Sequence, residues 1–362
     1  MLRLSRLFIV LLAFAACSGN VTPPAVPQPF AAQPDTPRTT GTYLYASDGP
    51  LSSIDVFASN AFSPGRSITD GVSAPVAVAV APDGTVVVAD ALVDSNAMGA
   101  VEVYAPGANT PKARLGKSIF APNGLAIDKN GVVYVANKGN DPAGNGWIAE
   151  YSSKLQFLRK VQIGIAATSQ IAIGPDGYLY AVSQRNNSIT AYKPGSIQVA
   201  RTYTVSGFIA GMAFDKLGNF YVLGQTQFGG GVAEFAHGTT KAVRSWANGI
   251  EDPNAIAVDA AGYVYVANHQ GGKYNAGGIL CFAPGKSTAS VTIPLSSGRA
   301  VSSIGIDPSN NVYISTFGMD YTKGYDTGII DAYTQGLRIH KGTLTGKTLG
   351  GPDYDSLAFG PN

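Results

Sequence analysis

A pattern of three apolar runs recurs from residue 41 onward and constrains the fold more than any other feature of the chain. Its most regular member is an aromatic residue in an alternating strand, found at Phe57, Tyr104, Tyr151, Tyr192, Phe235, Phe282 and Tyr333. Successive aromatics are 47, 47, 41, 43, 47 and 51 residues apart. A period in this range is typical of arrays in which each repeat is one supersecondary unit that stacks on its neighbours.

From the second repeat onward, each aromatic strand is preceded by two other apolar runs, which are joined by a turn such as Pro-Asp-Gly or Asp-Lys-Asn-Gly. Such turns connect antiparallel neighbours. A turn, which is Pro-Gly in three of the repeats, leads from the aromatic strand to a fourth strand, so each repeat predicts a four-stranded antiparallel blade with strands A, B, C and D. The pattern therefore predicts an all-β fold, a seven-bladed β-propeller, with six blades as the alternative.

The first repeat lacks strand A, and this strand is found instead at the other end of the chain. Nothing resembling it precedes TYLYASD at 42–48, whereas SLAFGPN occupies 356–362. We expect Ser356–Gly360 to be the innermost strand of the N-terminal blade. Closure of the ring by both chain ends leaves no wide sheet edge exposed. Strands that are apolar at nearly every position, such as residues 76–80, further predict blades packed on both faces.

The first 17 residues, MLRLSRLFIVLLAFAAC, have the organisation of an export signal. Arg3 and Arg6 precede an apolar run that is too short to span a membrane. The ending Ala-Ala-Cys17 resembles a bacterial lipobox, which implies a lipid on the thiol of Cys17. Phe14 stands where lipoboxes usually have Leu, which leaves cleavage after Ala15 as the alternative.

Three segments follow from these patterns: a signal peptide at 1–16, a lipidated cysteine with a linker at 17–40, and the propeller at 41–362. The linker carries six prolines and is typical of an extended spacer. We expect an extracytoplasmic, membrane-anchored lipoprotein. Ser18 is not the Asp that retains many lipoproteins in the inner membrane, which favours the outer membrane of a cell that has one.

The charge balance argues against a nucleic-acid partner. The chain has 25 basic and 23 acidic residues, and Arg3 and Arg6 account for its net charge of +2. A neutral chain without basic runs has little field to attract a phosphate backbone. The partners expected are the membrane, through the lipid, and a protein or carbohydrate ligand, with the propeller itself monomeric. The second cysteine, Cys281, lies in an apolar strand and is interpreted as a core residue.

The run PNGLAID…GVVYVAN at 122–137 resembles an NHL-type repeat. It is also similar to the wider propeller group of gluconolactonase/regucalcin-like enzymes and streptogramin lyases. The resemblance implies the fold, but propellers host unrelated activities. In the gluconolactonase-like enzymes the Asn of a Pro-Asn-Gly motif is a metal ligand, and Asn123 matches it. Those enzymes add Glu and Asp ligands, and no Glu is found on an A strand of this chain.

Topology places the D-to-A links and the B-to-C loops on one face, around the mouth of the central channel. The start of strand A and the end of strand B should be neighbours there. Amides and carboxylates at these positions provide oxygen ligands for a polar molecule or a hard cation such as calcium. The candidate ligand-binding residues are Asn123, Asn137, Asn254, Asn268, Gln170, His269 and Asp355, of which Asn123, Asn254 and Asp355 are the candidate metal ligands.

Two functions are consistent with these features. The first is an exported, membrane-tethered propeller that acts as a binding or interaction scaffold, without catalysis. The alternative is a metal-dependent lactonase-like or lyase-like enzyme with its site at the channel mouth. The streptogramin lyases use two His and a Glu near the channel, whereas His269 is the only histidine expected on this face. Asp128, Asp215, Asp259 and Asp307 follow strand A and are expected in turns on the opposite face.

Overall fold

The repeats form strands at the positions that their apolar runs predict. The computed structural model describes residues 41–59, 61–91, 99–138, 145–162, 170–226, 229–268, 277–295, 299–320, 325–326, 328–345 and 354–362. Over the first four repeats the strands are β1 (Tyr43–Asp48), β2 (Ser53–Ala58), β3 (Arg66–Ile68); β4 (Pro75–Val80), β5 (Val86–Asp90), β6 (Ala100–Tyr104), β7 (Pro111–Leu115); β8 (Pro122–Ile127), β9 (Val133–Asn137), β10 (Trp147–Tyr151), β11 (Phe157–Val161); β12 (Ile171–Ile173), β13 (Leu179–Ser183), β14 (Ser188–Tyr192) and β15 (Val199–Thr204).

The remaining repeats continue the same order. Their strands are β16 (Phe208–Phe214), β17 (Phe220–Thr226), β18 (Gly229–Phe235), β19 (Ala242–Trp246); β20 (Pro253–Val258), β21 (Val264–Asn268), β22 (Gly278–Phe282), β23 (Val291–Pro294); β24 (Arg299–Ile306), β25 (Val312–Asp320), β26 (Tyr325–Asp326), β27 (Ile329–Tyr333), β28 (His340–Leu344) and, at the end of the chain, β29 (Tyr354–Gly360). The two 3₁₀ turns in the described residues are Gln184–Asn186 and Gln335–Leu337. In the same residues, no helix has the length and apolar character needed to cross a membrane.

The strands form seven antiparallel sheets of four strands each, the last one extended by the short β26. This confirms the all-β, seven-bladed propeller and excludes the six-bladed alternative. The A strands contact one another in the order β16, β20, β24, β29, β4, β8 and β12, so they line the axis. Strand D is the outer edge of each blade.

Blade one is completed by both chain ends, as the misplaced strand predicts. β29 pairs with β1 from Tyr43 opposite Gly360 to Asp48 opposite Tyr354, so it begins two residues before the expected Ser356. The hydroxyl of Tyr45 donates to the carbonyl of Pro361 at 3.0 Å. The strand order of this sheet is therefore β29-β1-β2-β3.

The hydrophobic core is a ring of seven layers, each between two neighbouring blades. Val86 and Val88 of β5 pack in the layer towards blade one, whereas Val87 packs in the layer towards blade three. Successive residues of a strand point to opposite faces, so an inner strand between two neighbours must be apolar throughout. Cys281 is fully buried in the layer between blades six and seven, and burial raises the pKa of its thiol to about 11.

The aspartates that follow strand A organise the turns of the face opposite the channel mouth, which we call the turn face. Asp259 Oδ1 accepts from the N–H groups of Ala261 and Tyr263 at 2.9 and 3.0 Å. Its Oδ2 accepts from the hydroxyl of Tyr265 at 2.9 Å. Equivalent backbone bonds are made by Asp128, Asp215 and Asp307. The prediction that these residues belong to turns is confirmed.

Closure predicts that deleting residues 353–362 destabilises all seven blades together. Without β29, the apolar faces of blades one and seven lose their inner partner, and the ring opens at the axis. Hydrogen exchange should therefore accelerate in blade four, on the far side of the ring, as well as in blade one. Fraying confined to blade one would contradict a closed ring.

A single substitution tests the contact between β29 and blade seven without shortening the chain. Phe359 packs against Tyr313 of blade seven with ring centroids 5.1 Å apart. We expect Phe359→Ala to lower the free energy of unfolding by about 2 kcal/mol in urea titrations, below the range for a fully buried phenylalanine. The control is Phe208→Ala, also on an A strand but 51% exposed, which should change stability by less than about 0.5 kcal/mol.

Candidate functional site

The last residue of strand B in blade three, Asn137, supports the loop beside it. Its Oδ1 accepts from the N–H of Phe120, in the link from blade two, at 2.7 Å. Its Nδ2 donates to the carbonyls of Val135 at 2.9 Å and Trp147 at 3.4 Å. The residue is fully buried. Its amide therefore connects the D-to-A link with strands B and C of its own blade.

The same position has the same role in two other blades. In blade two, the carboxylate of Asp90 accepts from the N–H groups of Ser73 and Ala74 at 2.5 and 2.8 Å. In blade six, Asn268 accepts from the N–H of Glu251 at 3.2 Å. A side-chain oxygen that accepts from the preceding link removes the cost of a buried, unpaired backbone donor. Asn137 and Asn268 thus stabilise the D-to-A links that border the channel mouth.

The starts of the A strands carry a feature that the sequence pattern did not predict. In six blades the pairing of strands A and B skips one residue of strand A, which forms a β-bulge. The skipped residues are Asp355, Val76, Asn123, Ala210, Asn254 and Ser302. In blade four, Gln170 precedes β12, and its carbonyl accepts from the N–H of Val182 at 2.9 Å, so Gln170 occupies the paired position that follows the bulge in the other blades. We call the six skipped positions the bulge ring.

The bulge ring brings three of the candidate residues to equivalent places around the axis, namely Asn123, Asn254 and Asp355. Gln170 lies one residue further along strand A of its blade. A bulge redirects the side chain of its extra residue, and bulges are frequent beside binding sites. Asn137 and Asn268 lie on the neighbouring B strands, each opposite the proline that precedes a bulge. The candidates therefore divide into a ring at the axis and supports behind it.

Asn254 connects the starts of the A strands of blades six and seven. Its Nδ2 donates to the carbonyl of Val301, the residue before the bulge of blade seven. Its Oδ1 is buried and accepts no hydrogen bond from the described residues. A buried carbonyl oxygen without a donor is costly, which makes this atom a favourable acceptor for a ligand N–H, a hydroxyl or a cation.

Blade seven adds a positive charge at the mouth. The guanidinium of Arg299 donates to Thr316, to Oγ1 at 2.8 Å and to the carbonyl at 2.9 Å. Burial lowers the pKa of Arg299, and the charge of Asp331 partly opposes this effect. In the bulge ring next to it, the hydroxyls of Ser302 and Ser315 are 2.7 Å apart. Among the described residues, the mouth thus combines amides, hydroxyls and the guanidinium of Arg299.

Some of the predicted site falls outside the described residues. This applies to Cys17, to His269, to the side chain of Asp355 and to most of the polar B-to-C loops, namely 92–98, 139–144, 269–276 and 321–324. Within the described ranges, no group of three His, Cys, Asp or Glu side chains is arranged to hold a metal ion.

Comparison with known proteins supports the fold. The chain is similar to a functionally unknown protein from Desulfotomaculum acetoxidans, with a TM-score of 0.63 and 15% identity over 88% of this chain and 98% of that one. It is also similar to Kuenenia stuttgartiensis hydrazine synthase, with a TM-score of 0.55 and 16% identity over 69% of this chain and 78% of that one. No protein-family model and no curated protein matches the sequence. At these identities the likeness establishes the propeller alone.

The support role of Asn137 makes a stability prediction. Asn137→Ala leaves the N–H of Phe120 and two carbonyls without their partner, so the free energy of unfolding should fall by about 2–3 kcal/mol. Urea titration measures the change. The control is Asn130→Ala, an exposed asparagine on the turn face of the same blade, for which we expect less than about 0.5 kcal/mol. Equal stability of both variants would contradict the role of Asn137 as a support.

Proposed function

We propose that this protein is an exported, lipid-tethered propeller that acts as a binding scaffold, and that its ligand is held at the channel mouth by the bulge ring. The observation that carries the proposal is the shared β-bulge, which places polar residues at the same height in blades one, three, six and seven. Nothing in the described residues specifically favours the metal-dependent enzyme, which we do not propose.

The chemistry of the ring favours a ligand with many hydroxyl or amide groups. Asn254 offers a buried acceptor, Arg299 offers a cation already fixed by Thr316, and Ser302 adds a hydroxyl. Amide and hydroxyl groups bind neutral polar ligands without the large desolvation cost of burying unpaired charges. A carbohydrate or an exposed protein loop provides matching groups, and a rigid ring of seven blades holds the site in a fixed geometry.

The tether is supported by the N-terminal sequence. A basic start, an apolar run and Ala-Ala-Cys17 form a lipoprotein signal, and six prolines in residues 18–40 form a spacer between the lipid and the propeller. The placement would keep the mouth accessible to envelope components while the chain stays at the membrane.

Lipidation at Cys17 has a matched control within the chain. Cells expressing the protein and fed labelled palmitate should incorporate label into the parent and into Cys281→Ala, but not into Cys17→Ala. The Cys17→Ala chain should also leave the membrane fraction. Label retained by Cys17→Ala would contradict the tether, because Cys281 is the only other cysteine and is buried.

Binding at the mouth is tested by comparing variants of the channel mouth with a variant of the turn face. The propeller is used to capture envelope components, which are quantified by mass spectrometry, in parallel with Asn123→Ala/Asn254→Ala and with Asn130→Ala on the turn face. A true ligand should be depleted at least about tenfold with the double variant, consistent with the loss of two buried hydrogen bonds, and unchanged with the control. A capture profile unaffected by the double variant would contradict the assignment of the mouth.

A further inference from the structure

A row of three side chains crosses the sheet in two blades and is broken in the blade between them. In blades three and five, a tyrosine of strand B, a glutamate of strand C and an arginine of strand D are direct neighbours. The rows are Tyr134–Glu150–Arg159 and Tyr221–Glu234–Arg244. The arginine pairs with the glutamate at 3.1 Å in blade three and 2.5 Å in blade five. The guanidinium is thereby held over the middle of the sheet.

Blade four has an alanine in place of the glutamate. Its row is Tyr180, Ala191 and Arg201. Without an acid on strand C, Arg201 pairs with Asp176 in the turn between strands A and B. Asp176 Oδ2 also accepts from the hydroxyl of Tyr180 at 3.0 Å. The guanidinium of Arg201 therefore lies at the turn face, 4.5 Å from the ring centroid of Tyr178.

A cavity of about 420 Å³ opens beside this guanidinium, between blades four and five. It is lined by Asp176, Tyr178, Lys193, Ala200, Arg201 and His237. Lys193 and His237 come from the C-to-D turns of blades four and five. Three cationic or protonatable side chains from separate segments thus face one small space that contains a single carboxylate.

His237 is held in place by the turn beneath it. Blades two, four and six have a proline at the corresponding position of the C-to-D turn, namely Pro106, Pro194 and Pro284. In blade five the imidazole Nδ1 is 3.2 Å from the carbonyl of Leu217, to which it donates. The backbone N–H of His237 donates to Asn219 Oδ1 at 3.2 Å. Nε2 is then the nitrogen that remains for a ligand.

We propose that this cavity, between blades four and five, binds a tetrahedral oxyanion, the phosphate or sulfate group of a monoester. When the imidazole of His237 is protonated, so that Nε2 also donates, three donors from different segments match a group with three terminal oxygens better than a carboxylate, which has two. Arginine and lysine form charge-assisted bonds to such groups, and Arg201 is kept in position by Asp176 and Tyr178. The site lies on the turn face and does not depend on the channel mouth.

Isothermal titration of the full-length protein in neutral detergent tests the site with three probes: inorganic phosphate, inorganic sulfate and acetate. We expect phosphate or sulfate to bind with a dissociation constant on the order of 1 mM, and the tighter of the two identifies the source. Acetate should bind at least about tenfold more weakly, because its two oxygens leave one of the three donors without an acceptor. Absence of phosphate and sulfate binding, or acetate binding as tight as theirs, would overturn the proposal.

Substitutions distinguish specific binding in this cavity from attraction to the overall surface charge. Lys193→Gln and His237→Gln should each weaken oxyanion binding by about tenfold, the loss of one charge-assisted bond. The matched control is Lys286→Gln, which removes an exposed lysine from the C-to-D turn of blade six and should leave binding unchanged. Melting curves verify that all three variants are folded. Equal weakening in the control would assign the binding to net charge and overturn the site.

Discussion

The pairing of β1 with β29 is the contact on which the rest of the propeller depends. Each blade buries its two apolar faces only against its neighbours, so the seven core layers are complete only when the ring is closed. The pairing joins residues more than 300 positions apart, such as Tyr45 and Ala358. The entropic cost of closing a loop grows only with the logarithm of its length. The pairing completes the two core layers that flank blade one, and the apolar surface buried in them offsets that cost.

Closure of the ring also makes the channel mouth polar. The A strands of the ring crowd together there, and each has one edge without a neighbouring strand in its own sheet. Backbone groups on that edge need partners from elsewhere, as when Ser356 Oγ accepts from the N–H of Val78 in the next blade at 3.3 Å. The bulges at the start of the A strands add to this supply of polar groups. A polar mouth is thus a consequence of the ring geometry as well as a candidate site.

The sequence predicted the architecture well because the architecture is repeated. Seven aromatic positions, recurring turns and one misplaced strand are independent signals of the same ring. The sequence missed the first residues of β29 and the bulges at the starts of the A strands. The site was harder to predict, since Asn123 and Asn137 are both polar residues at a strand end. A bulge shifts the alternation of side chains by one residue. The sequence does not mark that shift, so it could not separate the bulge ring from its supports.

The sites proposed on the two faces arise from different departures from the repeat. At the mouth, six blades keep the same backbone position, and the side chain there varies from Val76 to Asn123 to Ser302. On the turn face, the backbone is again shared, but one missing acid at Ala191 changes where an arginine lies. Both sites depend on the core layers, which hold the strands in place even when the residues at the strand ends change. Specific chemistry in such a ring is therefore expected where one blade differs from its neighbours, and blade four differs in the residue that would otherwise neutralise Arg201 over the sheet.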